Sequence, residues 1–192
     1  MNLPYTNMQL IMAALILIIV VLAVVAMFLE HRKTKTRAFR NKFGTEYDRA
    51  VLSQGSSKKA EAKLTDRQTR VGALKIRDLG HTERERFVSE WTIVQSRFVD
   101  HPKAAVTEAD DLVSAILEAR GYPKTSFEQR ADDLSVTYPL LMENYRQAHA
   151  IAVRPSQLEA STEDLRSAML QYRAIFDELA QPQKPVVHKK AA

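Results

Sequence analysis

No cysteine occurs among the 192 residues of this chain. Its absence excludes disulfide bonds, thiolate catalysis and cysteine-ligated zinc or iron–sulfur sites, and it is consistent with a reducing compartment. Glycine is also scarce, with five residues, and the sequence has neither a glycine-rich phosphate loop nor a Gly-x-Ser-x-Gly nucleophile motif. The sequence therefore carries no motif for cysteine-based redox chemistry, nucleotide binding or serine-dependent hydrolysis.

Charged residues are absent from residues 10–29, whose sequence is LIMAALILIIVVLAVVAMFL. At about 1.5 Å per residue, a helix of that length reaches roughly 30 Å, the thickness of the hydrocarbon core of a bilayer. The stretch therefore predicts a transmembrane helix, preceded by a short segment over residues 1–9. A core helix of a soluble protein fits poorly, because an uninterrupted apolar run offers no polar face to water.

Lys and Arg are absent before the apolar run and abundant directly after it, at Arg32, Lys33, Lys35, Arg37, Arg40 and Lys42. Because cytoplasmic flanks retain Lys and Arg, we predict that the N-terminus lies outside and that the rest of the chain lies in the cytoplasm. The alternative is a secretory signal, which would export the domain to the envelope. A signal needs a basic start and a shorter apolar core, and this chain has neither.

The charge is distributed unevenly along the rest of the chain. Residues 31–77 contain 14 Lys and Arg and 4 Asp and Glu, whereas residues 78–180 contain 11 and 18. We interpret residues 30–80 as a basic helical connector whose six membrane-proximal Lys and Arg contact anionic lipid. Nucleic acid is not expected as a partner, because stacking aromatic residues are few and a membrane span precedes the strip directly.

Within the connector, residues 57–73 have helical composition but only a thin apolar stripe, formed by Leu64, Val71 and Leu74. The thin stripe predicts a spacer that packs weakly on the following domain or on a second copy of the chain.

Residues 81–180 show repeated apolar stripes at helical spacing. Thr82 and Glu85 form a capping-box pattern that predicts a helix start, and Phe87, Trp91 and Val94 lie on one face of that helix. Further helices are predicted from Pro102 to about residue 120, over 126–135, over 139–153, and from 161 or 162 to 179. The fold class is therefore all-α: a transmembrane helix, a basic connector and a small antiparallel bundle, with a disordered tail over residues 181–192.

The sequence offers few groups for catalysis. No histidine pair has metal-ligand spacing, and we expect neither a metal nor a cofactor. The doublets Asp110–Asp111 and Asp132–Asp133 point about 100° apart on a helix, which is typical of solvated faces. His149 lies on an apolar stripe, which indicates either a core histidine bonded to a neighbouring carboxylate or a catalytic or pH-responsive group in a pocket between helices.

Several spaced strings carry a resemblance: WTIVQSRFVDHP (91–102), RGYP (120–123), FEQRADDLSV (127–136), YRQAH (145–149) and STEDLR (161–166). They resemble a group of uncharacterised bacterial proteins in which one N-terminal apolar segment precedes a helical domain of this length. The resemblance implies a bacterial envelope-associated protein and supplies no activity, substrate or catalytic residue. Our leading hypothesis is a protein-interaction or scaffolding module at the cytoplasmic face, and the competing hypothesis is an enzyme or ligand sensor near His149.

Overall fold

The structure is a computed structural model that describes residues 4–154 and 160–181, with side chains from residue 8 onward. Within those ranges its regular secondary structure is helix without any strand, so the predicted all-α class is confirmed. The helices are α1 (Pro4–Phe43), α2 (Thr45–Gln54), α3 (Ser57–Gly72), α4 (His81–Arg97), α5 (Pro102–Ala119), α6 (Phe127–Leu134), α7 (Met142–Ala152) and α8 (Thr162–Ala180), with a 3-10 turn over Pro139–Leu141. The chain divides into two compact units, Met1–Lys42 and Phe43–Ala192.

The first unit consists of the α1 helix. Its side chains from Met8 to Leu29 are all exposed, and the helix is long and apolar enough to cross a membrane. The helix extends beyond the predicted span, because it begins at Pro4 and continues without a break to Phe43. The six basic residues between positions 32 and 42, which are predicted to contact lipid, therefore belong to the same helix as the apolar run.

The second unit has its core where α5, α7 and α8 pack together, with α4 packed on α5. The residues that meet there come from the predicted stripes, and Tyr145 and Tyr172 are completely buried. Trp91 of α4 stacks on Phe176 of α8 with ring centroids 4.8 Å apart. An apolar stripe on each helix thus accounts for this part of the fold.

The predicted boundary between connector and domain differs from the observed one. Phe43, Tyr47, Ala60 and Leu64 are buried, and the compact unit begins at Phe43 instead of residue 81. The α2 and α3 helices pack on each other; α3 packs on α6, while α2 packs on α7 and the 3-10 turn. Residues 43–79 are therefore part of the folded domain and not a weakly packed spacer.

One turn shows why its glycine is required. Gly121 follows α5 with φ +97°, and a Cβ added there would lie 2.5 Å from the carbonyl oxygen of Lys75. Close to this contact between Gly121 and Lys75, the backbone N–H of Arg77 donates a hydrogen bond to the carbonyl oxygen of Arg120 at 2.9 Å. The predicted left-handed cap at Gly121 thus also lets the segment before α4 pack against the end of α5.

The start of α4 lies two residues before the predicted capping box. Glu83, and not Glu85, accepts the backbone N–H of Gly80 at 2.9 Å, and its carboxylate also binds the guanidinium of Arg77 at 2.7 Å. The Arg77 hydrogen bond and the Gly80 N–H lower the pKa of Glu83 to about 2. Of the predicted disordered tail, residues 182–192 lie outside the described residues.

Candidate functional site

The six predicted lipid-contacting residues form a basic collar on α1, defined as Arg32, Lys33, Lys35, Arg37, Arg40 and Lys42. All six residues are exposed, and their spacing distributes them around the helix instead of along one face. Lys33 pairs with Glu30 at 3.1 Å, and the guanidinium of Arg32 lies 4.7 Å from the centre of the Phe28 ring. Contact with lipid headgroups stays a prediction.

Four ionised side chains from four helices form a closed arrangement that we call the charge ring: Glu46, Arg67, Asp132 and Arg146. Arg67 contacts Glu46 at 3.6 Å and Asp132 at 2.6 Å. Arg146 contacts the same two carboxylates at 3.2 Å and 3.3 Å. Each arginine thus touches both acids, and the ring fastens α2 and α3 to α6 and α7.

The charge ring is largely removed from water. Glu46 is 2% and Arg67 is 6% exposed. Burial opposes ionisation of Arg146, but its hydrogen bond to Glu46 and the negative charges of Glu46, Glu128 and Asp132 together outweigh burial and raise the pKa of that guanidinium. Charges withdrawn from water in this way are tolerated because each has an opposite partner.

A second pair extends the contact between α3 and α6. The guanidinium of Arg70 donates two hydrogen bonds to Oδ1 of the buried Asp133, at 2.8 Å and 2.6 Å. The interpretation of Asp132–Asp133 as a solvated doublet is therefore wrong. The two carboxylates do point in different directions, as adjacent helical residues must, and each meets an arginine of α3.

His149 forms the centre of a further cluster. Its Nδ1 lies 3.2 Å from Oδ2 of Asp110 on α5, and its ring stacks on Phe127 with centroids 3.5 Å apart and planes within 4°. The predicted bond between His149 and a neighbouring carboxylate is thus confirmed. When Nδ1 donates to Asp110, the lone pair of the neutral imidazole is on Nε2.

Asp110 also belongs to a polar cluster, so the prediction of a solvated residue is wrong at this position. Arg130 of α6 pairs with Asp110 at 3.3 Å and donates a short hydrogen bond to the hydroxyl of Ser114. Burial, with the negative charge of Asp110, raises the pKa of Tyr172, and burial likewise raises the pKa of Tyr145. Both phenols therefore remain neutral at physiological pH.

Two depressions border this cluster. One of about 390 Å³ is lined by Asp110, Ser114 and Arg130, and one of about 700 Å³ is lined by Phe127 and His149. The predicted pocket near His149 thus exists as an open depression. Across the described ranges 4–154 and 160–181, no group of three or more acidic or histidine side chains is arranged to hold a metal ion.

A different kind of surface lies between the first two bundle helices, which we call the α4–α5 groove. It has a volume of about 450 Å³, and its apolar lining consists of Ile93, Val94, Leu112 and Ala115. Ile93 is 48% exposed although it is a large aliphatic residue. The sequence pattern does not reveal the groove, because Ile93 and Ala115 do not lie on the buried stripes of their helices.

Comparisons of this chain with protein-family models, with curated proteins and with solved structures find no match.

Proposed function

We propose that this chain is a single-pass protein of a bacterial inner membrane, with its N-terminus outside, and that its cytoplasmic domain binds another protein. The observation that carries the proposal is the difference between the two units. The α1 helix exposes its whole apolar run. Such a surface is unfavourable in water and favourable in the hydrocarbon core of a bilayer. The unit that begins at Phe43 contains a core of its own.

The interaction role rests on the surface of the second unit. The α4–α5 groove places the exposed Ile93 beside Val94, Leu112 and Ala115, and contiguous apolar surface of this kind is a feature of binding sites. The charge ring supports the same role, because it holds α2 and α3 on the bundle and so gives a partner a preorganised surface.

The orientation is tested with reporters fused after Ala192. If the domain is cytoplasmic, a fluorescent protein that folds only in the cytoplasm will be bright, and an exported phosphatase at the same position will be inactive. Replacing the six residues of the basic collar with Gln should weaken this bias. An active phosphatase on the unaltered chain would show the exported topology and overturn the cytoplasmic assignment.

The interaction role is tested by photo-crosslinking in native membranes. A photoreactive amino acid at Ile93 should give discrete crosslinked products, whereas one at Leu170, an exposed apolar residue of α8, serves as the matched control. Products from Ile93 that are absent from Leu170 are expected. Identical product patterns at the two positions would contradict a partner at the α4–α5 groove, and no products from any exposed position of the domain would contradict the interaction role.

The basic collar is proposed to hold the chain next to anionic headgroups, at about 1 kcal/mol per basic residue near the surface. A soluble fragment of residues 31–181 should bind anionic vesicles, and a fragment of residues 43–181, which retains the folded unit, should not. Binding should weaken between 0.1 M and 1 M salt, as the Debye length falls from about 10 Å to about 3 Å. Equal binding by the two fragments would exclude the basic collar as the contact.

A second candidate function is binding of a small ligand near His149, and the Asp110–His149 pair beside an open depression favours it. A carboxylate that fixes the tautomer of a histidine is a common element of ligand and catalytic sites. In a small-molecule screen by NMR, ligands of this site should shift the His149 ring signals in the unaltered chain and not in Asp110→Asn. Hits that leave the His149 signals unchanged would remove this candidate.

A further inference from the structure

The acidic side chains of the α4–α5 groove are incompletely paired. Glu108 uses Oε1 to bind Arg97 at 2.9 Å, while its Oε2 is buried and has no hydrogen-bond partner within the described part of the chain. Asp111 also lines the groove and makes no ion pair there with any described residue, whereas Glu90 at the same surface pairs with Arg86 at 3.6 Å. The Oε2 atom of Glu108 and the carboxylate of Asp111 can each accept further hydrogen bonds, so this groove favours an occupant that brings a cation or N–H donor.

The geometry of the groove favours a helix as that occupant. Its walls run from Glu90 to Arg97 on α4 and from Glu108 to Ala115 on α5, which is about two turns of each helix. The small side chain of Ala115 leaves room on the α5 wall, and Ile93 offers an apolar contact on the α4 wall. A third helix laid between two packed helices completes the arrangement that amphipathic helices form in recognition grooves.

We infer that the α4–α5 groove binds a basic amphipathic helix of a partner protein, which places aliphatic side chains against Ile93, Leu112 and Ala115 and a Lys or Arg beside Glu108 and Asp111. This inference rests on the proposed interaction role and names the class of partner. Three of the four charged residues that line the groove are acidic, and the fourth, Arg97, is paired with Glu108. An acidic helix would therefore meet like charges at Glu108 and Asp111, which supplies selectivity.

The test selects binding peptides from a library without assuming their sequence. A displayed library of helical peptides with randomised surface positions is selected on the full chain in nanodiscs of phosphatidylcholine, a lipid without net charge that does not attract basic peptides. Enriched peptides should combine aliphatic residues three and four positions apart with an adjacent Lys or Arg. Enrichment of acidic peptides, or of none, would overturn the inference.

Variants then locate the site. Ala115→Arg fills the groove and adds a positive charge, so affinity for a selected peptide should fall at least 10-fold. Ala174→Arg places the same change at an exposed alanine of α8 and should leave affinity unchanged. The new side chain in the variant Glu108→Gln can still accept the hydrogen bond from Arg97. The variant should lower the affinity for a basic peptide but not for the same peptide with its Lys or Arg replaced by Gln.

Three results would contradict the inference. Equal affinity of Ala115→Arg and Ala174→Arg would place the peptide elsewhere. Dissociation of a dimer of the full chain by Ala115→Arg would make the groove a contact between copies of this chain. Crosslinked partners from Ile93 that show no basic amphipathic helix at the contact would leave the interaction role intact and refute this class of partner.

Discussion

The charge ring allows a decisive substitution at Arg67. Replacing Arg67 by Met leaves the buried Glu46 and the half-buried Asp132 with Arg146 as the remaining cation of the ring. Removing one partner of a buried ion pair typically costs about 3–5 kcal/mol, because the other charge is left without compensation. With a urea dependence of about 2 kcal/mol per M, the unfolding midpoint should fall by roughly 1.5–2.5 M.

The assay follows the fluorescence of Trp91, which is the one tryptophan of the chain and is buried in the folded unit. Its emission reports unfolding of the domain while α1 remains in a nanodisc. Arg166→Met is the control, because the pair of Arg166 with Glu163 is exposed and its loss should change the midpoint little.

A double variant separates charge balance from lost packing. Adding Glu46→Gln to Arg67→Met removes the excess negative charge and should recover part of the loss in free energy of unfolding, a coupling of about 0.5–3 kcal/mol. A midpoint for Arg67→Met no lower than that of Arg166→Met, or a double variant less stable than the sum of its singles, would refute the reasoning.

Three further predictions concern the bundle. The pKa of Glu83 should be about 2, so the stabilising contribution of this carboxylate is complete above about pH 4.5 and is lost as the pH falls toward 2. Arg77→Met should raise the pKa of Glu83 in an NMR titration. In thermal unfolding, Gly121→Ala should lower the free energy of unfolding by at least about 1–3 kcal/mol, because φ is positive there and the carbonyl of Lys75 occupies the space of the new Cβ. Gly72→Ala is the control and should be tolerated, because its Cβ meets no atom within 4 Å. Trp91→Ala should cost about 3–5 kcal/mol by circular dichroism, and a loss below 1 kcal/mol would contradict its core position.

The helices of the bundle are predictable because each has an apolar stripe and a recognisable end. Leu112 and Ile116 on α5, for example, recur at a spacing of four and are buried, and Gly121 ends the helix region as expected. The start of α4 is displaced by two residues from the expectation, because Glu83 and Glu85 both fit a capping pattern and only the partner Arg77 distinguishes them.

The α2 and α3 helices depart from the prediction because their charged residues suggest an exposed surface. A signal for burial is nevertheless present, because Ala60, Leu64, Arg67 and Val71 follow one another at spacings of four, three and four and so share one face of α3. An arginine at a core-facing position indicates a buried partner. The identity of that partner cannot be found locally, since Asp132 is 65 positions away in the chain.

The His149 cluster is predictable in kind but not in composition. The position of His149 on an apolar stripe leads to the expectation of a carboxylate neighbour. That the carboxylate is Asp110, and that Phe127 covers the ring, depends on how α5, α6 and α7 pack. The α4–α5 groove leaves no signal at all in the periodicity, because it includes residues outside the buried faces.

The charge ring also has a consequence for the order in which the chain is made. Glu46 and Arg146 are 100 residues apart, so α2 leaves the ribosome long before α7. At about 5–20 residues per second, that interval lasts about 5–20 s. During this time α1, the helix long and apolar enough to cross a membrane, has already been made, while Glu46 and Arg67 have only each other and lack the partners on α6 and α7. The α2 and α3 helices can therefore reach their final packing only after α6 and α7 have been made.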